Sequence, residues 1–341
     1  MKKIRNIIVS MLFVASSFGQ SVGSDATFDI VTWNLKEFPL SGNTISKTVE
    51  IINAINVDVI VLQEIENLAS FNQLLSSLSG WNGYRANSAS YDINLAFIYK
   101  TDEIIINNHY EIYGQDWYAF PRSPLVIDLT WSGIDFLLIN NHFKCCSGSE
   151  NEDRRLQASQ TLKTWIDNNH SDENVILLGD LNDDITESSS TNVFWGFIED
   201  SPNYQFTDMA IGQGSSSDWS YPSWPSHLDH ILITDELFDE FDAENSFVQT
   251  IHAENYVSYY SSQVSDHRPV VLCLEFSSSP TLAGDINFDG ILNILDVVIL
   301  VNCALGTYQP TAEELIAGDM DENEMLNILD IVQLVNQVLE G

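Results

Sequence analysis

Between residues 27 and 276 the chain alternates short apolar runs with stretches in which apolar residues recur at helical spacing. Val175-Ile176-Leu177-Leu178 has the length of a buried strand and stops at Gly179, with Asp180 and Asn182 two residues apart just beyond. Strand side chains alternate, so a carboxylate and an amide would leave that strand end on one side, where they could share a metal ion, a water or a phosphoryl oxygen. Gly-Asp-x-Asn is also an ordinary turn, and this run alone decides nothing. Other runs end in the same way: Phe28 to Trp33 in Asn34, Val59 to Leu62 in Gln63 and Glu64, and Phe136 to Ile139 in Asn140, Asn141 and His142. Asp229-His230 and Ser265-Asp266-His267 each adjoin a further strand. Helices are expected at 45 to 55, 71 to 78 and 155 to 166, and the alternation predicts an α/β domain with helices packed on sheets.

After Ser277-Ser278-Ser279-Pro280 the pattern changes. LNILDVVILVN at 292 to 302 returns as LNILDIVQLVN at 326 to 336, nine of eleven positions identical at a spacing of 34 residues. Two copies are too few for a solenoid. Each copy opens instead on acids and amides at calcium-loop spacing. Asp285, Asn287, Asp289, Asn293 and Asp296 fall at positions 1, 3, 5, 9 and 12, with Gly290 for the sharp turn at 6 and the Ile291 carbonyl at 7. Asp319, Asp321, Asn323, Asn327 and Asp330 repeat the spacing, with the Met325 carbonyl at 7 and Glu324 where the turn glycine would stand.

The 341 residues have room for one large domain and a small one. Met1 to Asn6 is basic, and Ile7 to Phe18 is apolar but too short to span a bilayer and stay, which is the pattern of a secretory leader. Export is expected, without stable membrane insertion. The formal charge is -36, and loss of Lys2, Lys3 and Arg5 with the leader takes it to about -39. A nucleic-acid binder usually shows a basic face, and none stands out here. Six of the ten remaining basic residues nevertheless lie in or near the strand-end blocks: Lys36, Arg122, Lys144, Arg154, Arg155 and Arg268. A local positive site would still draw a phosphodiester, because salt screens acids farther than about 8 Å away. Arg154 and Arg155 read equally well as surface solubilisers. Of the four cysteines, Cys145 and Cys146 are adjacent. A bridge between them would be a strained clip on the loop after His142, and a metal site shared with His142 is the alternative.

The blocks TWNLKEF (32 to 38), DVIVLQEIEN (58 to 67), INNHFK (139 to 144), ILLGDLND (176 to 183), HLDHILI (227 to 233) and SDHRPVV (265 to 271) resemble, in content and order, the endonuclease/exonuclease/phosphatase superfamily. The resemblance covers about residues 27 to 276. It implies two stacked β-sheets flanked by helices, a four-layer sandwich, with the active site where strand ends of both sheets meet. It also implies magnesium or manganese, and magnesium needs only one or two protein carboxylates when substrate and water supply the rest. That role would fall to Glu64, with Asn34 and Asp266 nearby. Asp180 would orient or deprotonate the attacking water, and Asn182 would hold a phosphoryl oxygen. Asp229 would fix the tautomer of His267 and raise its pKa, so that a cationic imidazole faces the phosphate. His142 would be the second imidazole, as in the deoxyribonuclease branch. Arg122 matches a phosphate-contacting arginine of that branch, or caps a turn before Pro124, and Tyr91 matches a tyrosine near the scissile phosphate, or is only an aromatic at a strand start. There is one departure. Where that branch has a glutamate orienting the first histidine, this chain reads Tyr91-Asp92-Ile93-Asn94, so either Asp92 serves or His142 loses its role as a general acid.

The duplicated loop and helix resemble a type I dockerin, a small all-α calcium-binding module that docks on cohesin domains and whose folding is linked to calcium. The expected organisation is a leader at 1–22, a catalytic domain at 27–276, a linker at 277–282 and a dockerin at 283–341, in an exported monomer. Hydrolysis of DNA or other nucleic acid is the favoured activity. A phosphomonoesterase or a sphingomyelinase-like lipid phosphodiesterase of the same fold is the alternative. A non-enzymatic, calcium-dependent binding protein is the alternative of another class.

Overall fold

The computed structural model describes residues 22–276, 283–288, 291–321, 323 and 325–340. Two compact units divide between Glu275 and Phe276. The leader, except for its last residue, and the linker lie outside the described residues, as do Asp289, Gly290 and Glu324.

The first unit holds two six-stranded sheets. One contains β1 (Thr27–Phe38), β2 (Val59–Ile65), β3 (Trp81–Arg85), β4 (Asn94–Lys100), β11 (Phe247–Thr250) and β12 (Val270–Glu275), in the order β11-β12-β1-β2-β4-β3. The other contains β5 (Ile104–Glu111), β6 (Leu125–Trp131), β7 (Ile134–His142), β8 (Val175–Asp180), β9 (Tyr204–Phe206) and β10 (Asp229–Thr234), in the order β5-β6-β7-β8-β10-β9. Each sheet has a parallel pair at its middle, β1 with β2 and β7 with β8. A parallel pair needs a crossover, and helices α1 (Thr44–Ile55) and α3 (Ser149–Asn169) supply the two.

The period of two then sorts the strand side chains. Val31, Trp33, Leu35, Ile60 and Leu62 join Ile51, Ile52 and Ile55 of α1 and Phe71 and Leu74 of α2 (Leu68–Ser76) in one core. Leu137, Ile139, Val175 and Leu177 meet Ala158, Leu162 and Ile166 of α3 in another. The intervening positions turn the opposite way, so the two sheets face each other. Phe28 of β1 stacks on Phe136 of β7 with ring centroids 4.3 Å apart. Toward the strand ends the facing residues become polar: Gln63 Nε2 donates to Asn140 Oδ1 at 2.9 Å, and Asn140 Nδ2 donates to the Ala96 carbonyl at 2.9 Å and the Leu62 carbonyl at 3.1 Å. Gln63 and Asn140 thus bind sheet to sheet.

All three expected helices form. The last begins at Ser149, ahead of the apolar periodicity, because its first turns are polar and its buried stripe runs from Arg155 through Ala158 and Leu162 to Ile166. Buried Arg155 removes the solubiliser reading for that residue. Arg154 donates to the carbonyls of Tyr118 and Trp117 and lies over the Tyr118 ring.

In the second unit, helices Ile294–Ala304, Ala312–Gly318 and Ile328–Glu340 enclose Ile286, Val297, Leu300 and Leu334. The expected pair of loop-helix repeats is present, with a third helix between them.

Gly179 makes the close approach of β8 to β7 possible. Its φ is +146°, and a Cβ there would lie 2.0 Å from the Asn141 carbonyl oxygen. Gly179→Ala is expected to cost at least about 2 kcal/mol through strain and overlap. Gly42→Ala, with nothing within 4 Å, should stay within about 0.5 kcal/mol of wild type. Urea unfolding midpoints measure both.

Candidate active site

The inward positions at the ends of β1, β7, β8 and β10 converge. Asn34 Nδ2 donates to Asp180 Oδ2 at 2.9 Å and to Glu64 Oε1 at 3.2 Å. His142 Nε2 lies 3.5 Å from Asp180 Oδ2 and 3.9 Å from Glu64 Oε1. His267 Nδ1 is 2.8 Å from Asp229 Oδ2, and its Nε2 is 3.9 Å from Asp180 Oδ2. One oxygen of Asp180 is therefore shared by an amide and two imidazoles.

Glu64 arrives by a different route. The alternation of β2 would point it toward the helices with Ile60 and Leu62, but its φ of +60° and a register shift against β4 turn it inward. Lys36 and Glu37 also have positive φ, at a register shift between β1 and β2, and the Glu37 amide donates to Glu64 Oε2 at 2.9 Å. Asn182 is likewise placed by a turn and not by strand alternation. The strand ends at Asp180, Asn182 has φ +56°, and its N–H donates to Asp180 Oδ1 at 3.2 Å. Four residues in left-handed conformations at one place are backbone strain concentrated where chemistry would be done.

The charges of the site are set by burial and neighbours. Burial, with Asp229 and Glu64 adding repulsion, pushes Asp180 up to about 7 against the pull of His267 and the Asn34 hydrogen bond. Burial alone would lower His267. Asp229, Asp180 and Asp266 overcome it and raise His267 to about 10, so this ring is a cation at neutral pH. His142 is the reverse: burial and the nearby charges of Arg122 and His267 hold it well below its ordinary value, as a neutral ring. Asp92 does not orient it. That side chain is 81% exposed and 4.0 Å from Arg85, whereas His142 Nδ1 has no hydrogen-bond partner among the described residues. Tyr91 is also exposed, 93% so, in the same irregular turn. The departure noted in the sequence is thus real, and two interchangeable acid-base histidines are not what the site contains.

Glu64, His142, Asp180, Asn182, Asp266 and His267 line a cavity of about 780 Å³. Lys36 Nζ forms a short ion pair with Asp266. Arg122 is not among the described residues that line the cavity; its Nη1 reaches the Phe143 carbonyl at 3.4 Å, and it acts on Asp180 and Glu64 through its charge. Arg268 pairs with Glu254. Three aromatic residues that sequence reasoning missed, Trp219, Tyr221 and Trp224, form part of the wall, with Tyr221 4.7 Å from the His267 ring. They sit in an irregular loop, where no periodicity could have flagged them.

A second buried group supports the site from behind. His230 Nδ1 is 2.6 Å from Asp208 Oδ2, and its Nε2 donates to the Asp183 carbonyl at 2.9 Å. His227 Nε2 approaches the same Asp208 oxygen to 2.9 Å with poor hydrogen-bond geometry. His230 bridges two acceptors and so needs both ring protons, which agrees with Asp208 outweighing burial and raising its pKa. The two histidines in turn hold Asp208 below the usual carboxylate range despite its burial. Asp208 lies in YQFTDMA, which carries no motif.

In the second unit the two calcium-loop patterns adopt matching geometry. Asp296 Oδ1 accepts from the Ile286 and Asn287 amides and Oδ2 from Asn293 N; Asp330 does the same with Met320, Asp321 and Asn327. Asn293 and Asn327 accept from Leu295 N and Leu329 N and donate to the Ile291 and Met325 carbonyls. Position 9 therefore serves as a helix cap in both copies. Asp285 is buried, and Asp319, Asp321 and Asp330 bring their oxygens within 4.8 Å of one another. Asn323, which the repeat places beside them, has its N–H on Asp319. Asn287 stands at the corresponding position of the first copy.

The model of the endonuclease/exonuclease/phosphatase family matches residues 31–267, and that of the dockerin type I domain matches 283–339. The chain belongs to the endonuclease/exonuclease/phosphatase family and carries a dockerin. D. rerio TDP2 complexed with single strand DNA product is similar over 74% of this chain and 100% of its own, at 14% identity and a TM-score of 0.55. The human Nocturnin catalytic domain with bound sulfate covers 74% and 94% at 19% identity and 0.55, and a mannosyl-6-phosphatase of Bacteroides thetaiotaomicron covers 73% and 100% at 15% and 0.55. At these identities the likeness is one of fold. A comparison with curated proteins found no significant match.

Enzymes of this family hydrolyse phosphoric esters, typically with a divalent metal, and dockerins bind calcium. The carboxylates present suit a hard cation: Glu64 and Asp180 flank the Asn34 amide, whose Nδ2 donates to both while its oxygen accepts from Lys36 N–H, and Asp229 stands behind His267, so a cation would relieve the repulsion that raises Asp180. Lys36 occupies one oxygen of Asp266.

Two outcomes are expected. Asp208→Asn should cost about 3 to 5 kcal/mol, because it leaves buried charge unpaired. The raised pKa of His230 gives stability that is complete below its unfolded value of about 6.5 and lost as pH climbs through the folded one, so the wild-type decline above about pH 6.5 should become shallower in the variant, leaving the part that belongs to His267. The depressed pKa of Asp208 acts in the acid range, its contribution present above about pH 3.9 and lost as pH falls. Urea melts across pH measure these slopes. Chelation of calcium should also unfold the second unit reversibly, read as lost helical circular dichroism and protease cleavage within 283–339.

Proposed function

We propose that the first unit is a metal-assisted phosphodiesterase acting on nucleic acid, with DNA as the first substrate, exported and attached through its dockerin to a cohesin-type partner. The observation that carries this reading is the convergence of Glu64 with Asn34, and of Asp180 with the His267–Asp229 pair, on one open cavity. Glu64, the oxygen of Asp266 that Lys36 leaves open and Asn34, its amide turned to present Oδ1, would hold magnesium or manganese, which when bound would neutralise phosphate charge. Asp180, whose pKa lies near neutrality, orients and accepts a proton from the attacking water. His267, kept cationic by Asp229, stabilises negative charge growing on the phosphoryl oxygens. Asn182 donates to one of those oxygens. His142 is a neutral ring beside Asp180 and fits positioning of the water or substrate better than proton donation. Arg122 contributes its charge from outside the cavity wall.

Trp219, Tyr221 and Trp224 support a nucleic-acid substrate, since aromatic rings beside a phosphate site stack bases of any sequence. The DNA product recorded on the TDP2 neighbour accords with it. A second reading has its own observation. Glu37, Glu152, Asp184 and Glu187 also line the cavity, and such a wall repels a polyanion more than a small ester. A phosphomonoester or a lipid phosphodiester would suit it, and one neighbour is a sugar phosphatase. A purely non-enzymatic binding role does not account for the buried, strained and charge-tuned site. Export rests on the amino-terminal pattern; no helix among the described residues is long and apolar enough to cross a membrane.

The mature protein should nick plasmid DNA in magnesium and cease to do so in EDTA, with Asp180→Ala lowering kcat about 10² to 10⁴-fold. The rate should rise through about pH 7 as Asp180 loses its proton and fall toward pH 10 as His267 loses its own. A folded protein that leaves plasmid intact but releases phosphate from sugar phosphates, or phosphocholine from sphingomyelin, would replace the nuclease reading with the second one.

A further inference from the structure

The loop that follows β7 carries two thiols at the mouth of the cavity. Cys145 is half-buried and Cys146 exposed, both line the cavity, and their sulfurs are 2.8 Å apart with no bond between them. The backbone is already turned here, with φ +80° at Cys146 and +110° at Gly148. Lys144 Nζ lies 3.6 Å from Cys145 Sγ. The carbonyls that bracket the pair are gripped by one buried side chain: Arg155 Nη1 donates to Lys144 O at 2.9 Å and to Cys146 O at 3.0 Å. The same guanidinium donates through Nε to Asp183 Oδ2 at 2.7 Å, one residue beyond Asn182. The thiol loop and the Asp180 to Asp183 turn therefore share one clamp.

We infer that Cys145 and Cys146 form an oxidative modification site, closed to a vicinal disulfide by low-molecular-weight disulfides, and that closure loosens the Arg155 clamp on the Asp180 to Asp183 turn. In the first step one cysteine thiolate attacks the oxidant, forming a mixed disulfide and releasing one thiol. In the second the neighbouring thiolate attacks the protein sulfur of that mixed disulfide and releases the other thiol. Two S–H bonds are replaced by one S–S bond, and the two electrons and two protons leave with the oxidant as two thiols. Adjacent residues bring their Cα atoms to about 3.8 Å, nearer than the usual span of a disulfide, so the ring is strained and easily reduced. The Cys145–Cys146 peptide lies between the two carbonyls that Arg155 holds, so a rotation of it on ring closure would be passed to the clamp. Cys273 is buried within β12, and Cys303 belongs to the second unit.

The inference does not depend on the substrate, and its test needs no activity. The mature protein is incubated with glutathione disulfide, digested with trypsin and weighed; cleavage after Lys144 and Arg154 yields the peptide 145–154 with both cysteines. The expected product is that peptide lighter by two hydrogen atoms, restored by dithiothreitol. Unchanged peptide, or glutathione adducts alone, would overturn the assignment. Hydrogen exchange of residues 180–186, read by mass, should be at least about threefold faster in the oxidised protein. The Cys145→Ser/Cys146→Ser variant should show neither change. Disulfide formation with unaltered exchange would sink the proposed coupling to Arg155.

Discussion

The site depends on the hydrogen bond between Gln63 and Asn140, deep between the two sheets. Two sheets stacked through apolar side chains alone can slide, because hydrophobic contact has no direction. An amide pair has direction, and Asn140 adds bonds to the backbone of β2 and β4, so the parallel strand pairs are held with their ends opposed. Breaking one partner would leave buried amide groups unpaired, which costs more than a surface hydrogen bond contributes. Asn34, Glu64, His142 and Asp180 lie just beyond this bridge. Their distances to one another inherit its precision.

Electrostatics then divides the labour among similar groups. Asp180 and Asp229 are both buried carboxylates, and His142 and His267 are both buried imidazoles. Asp229 sits against His267 and makes it a cation; burial, with Arg122 nearby and no carboxylate bonded to its ring among the described residues, keeps His142 neutral. Groups of equal chemistry acquire different protonation states from their neighbours, which is how one site can present a base and a cation at one pH. Behind them, Asp208 and His230 fix the Asp183 carbonyl and Arg155 fixes its side chain, so the turn carrying Asn182 is braced from two directions.

The acidity of the chain belongs partly to the second unit, whose calcium loops need clustered carboxylates, and partly to the cavity wall. The first requirement is met when calcium binds. The second stays with the enzyme and bears on what it accepts, because a wall rich in Glu and Asp discriminates against long polyanions unless salt screens it.

Much was legible in the sequence because it is encoded locally. Apolar runs ending in Asn34, Glu64, His142 and Asp180 are strand signals, the period of two assigns most of those residues a common face, and the duplicated calcium loop is spelled out in its spacing. Other features depend on partners distant in the chain. Glu64 reaches the site only because a register shift and a positive φ reverse its face; Asn182 gets there by a turn; Arg155 is a buried clamp at the head of its helix's apolar stripe, although a charged side chain there reads in sequence as a surface solubiliser. Asp92 sits where a motif would want it and points to solvent instead. The aromatic wall and Asp208 come from irregular loops with no periodicity to announce them. The sequence by itself determined which strands form, which face each presents and which groups stand at their ends, since steric alternation needs no partner. Tertiary structure decided which of those groups are charged and which are aimed at the cavity, because desolvation and cross-sheet contact exist only once the two sheets are packed.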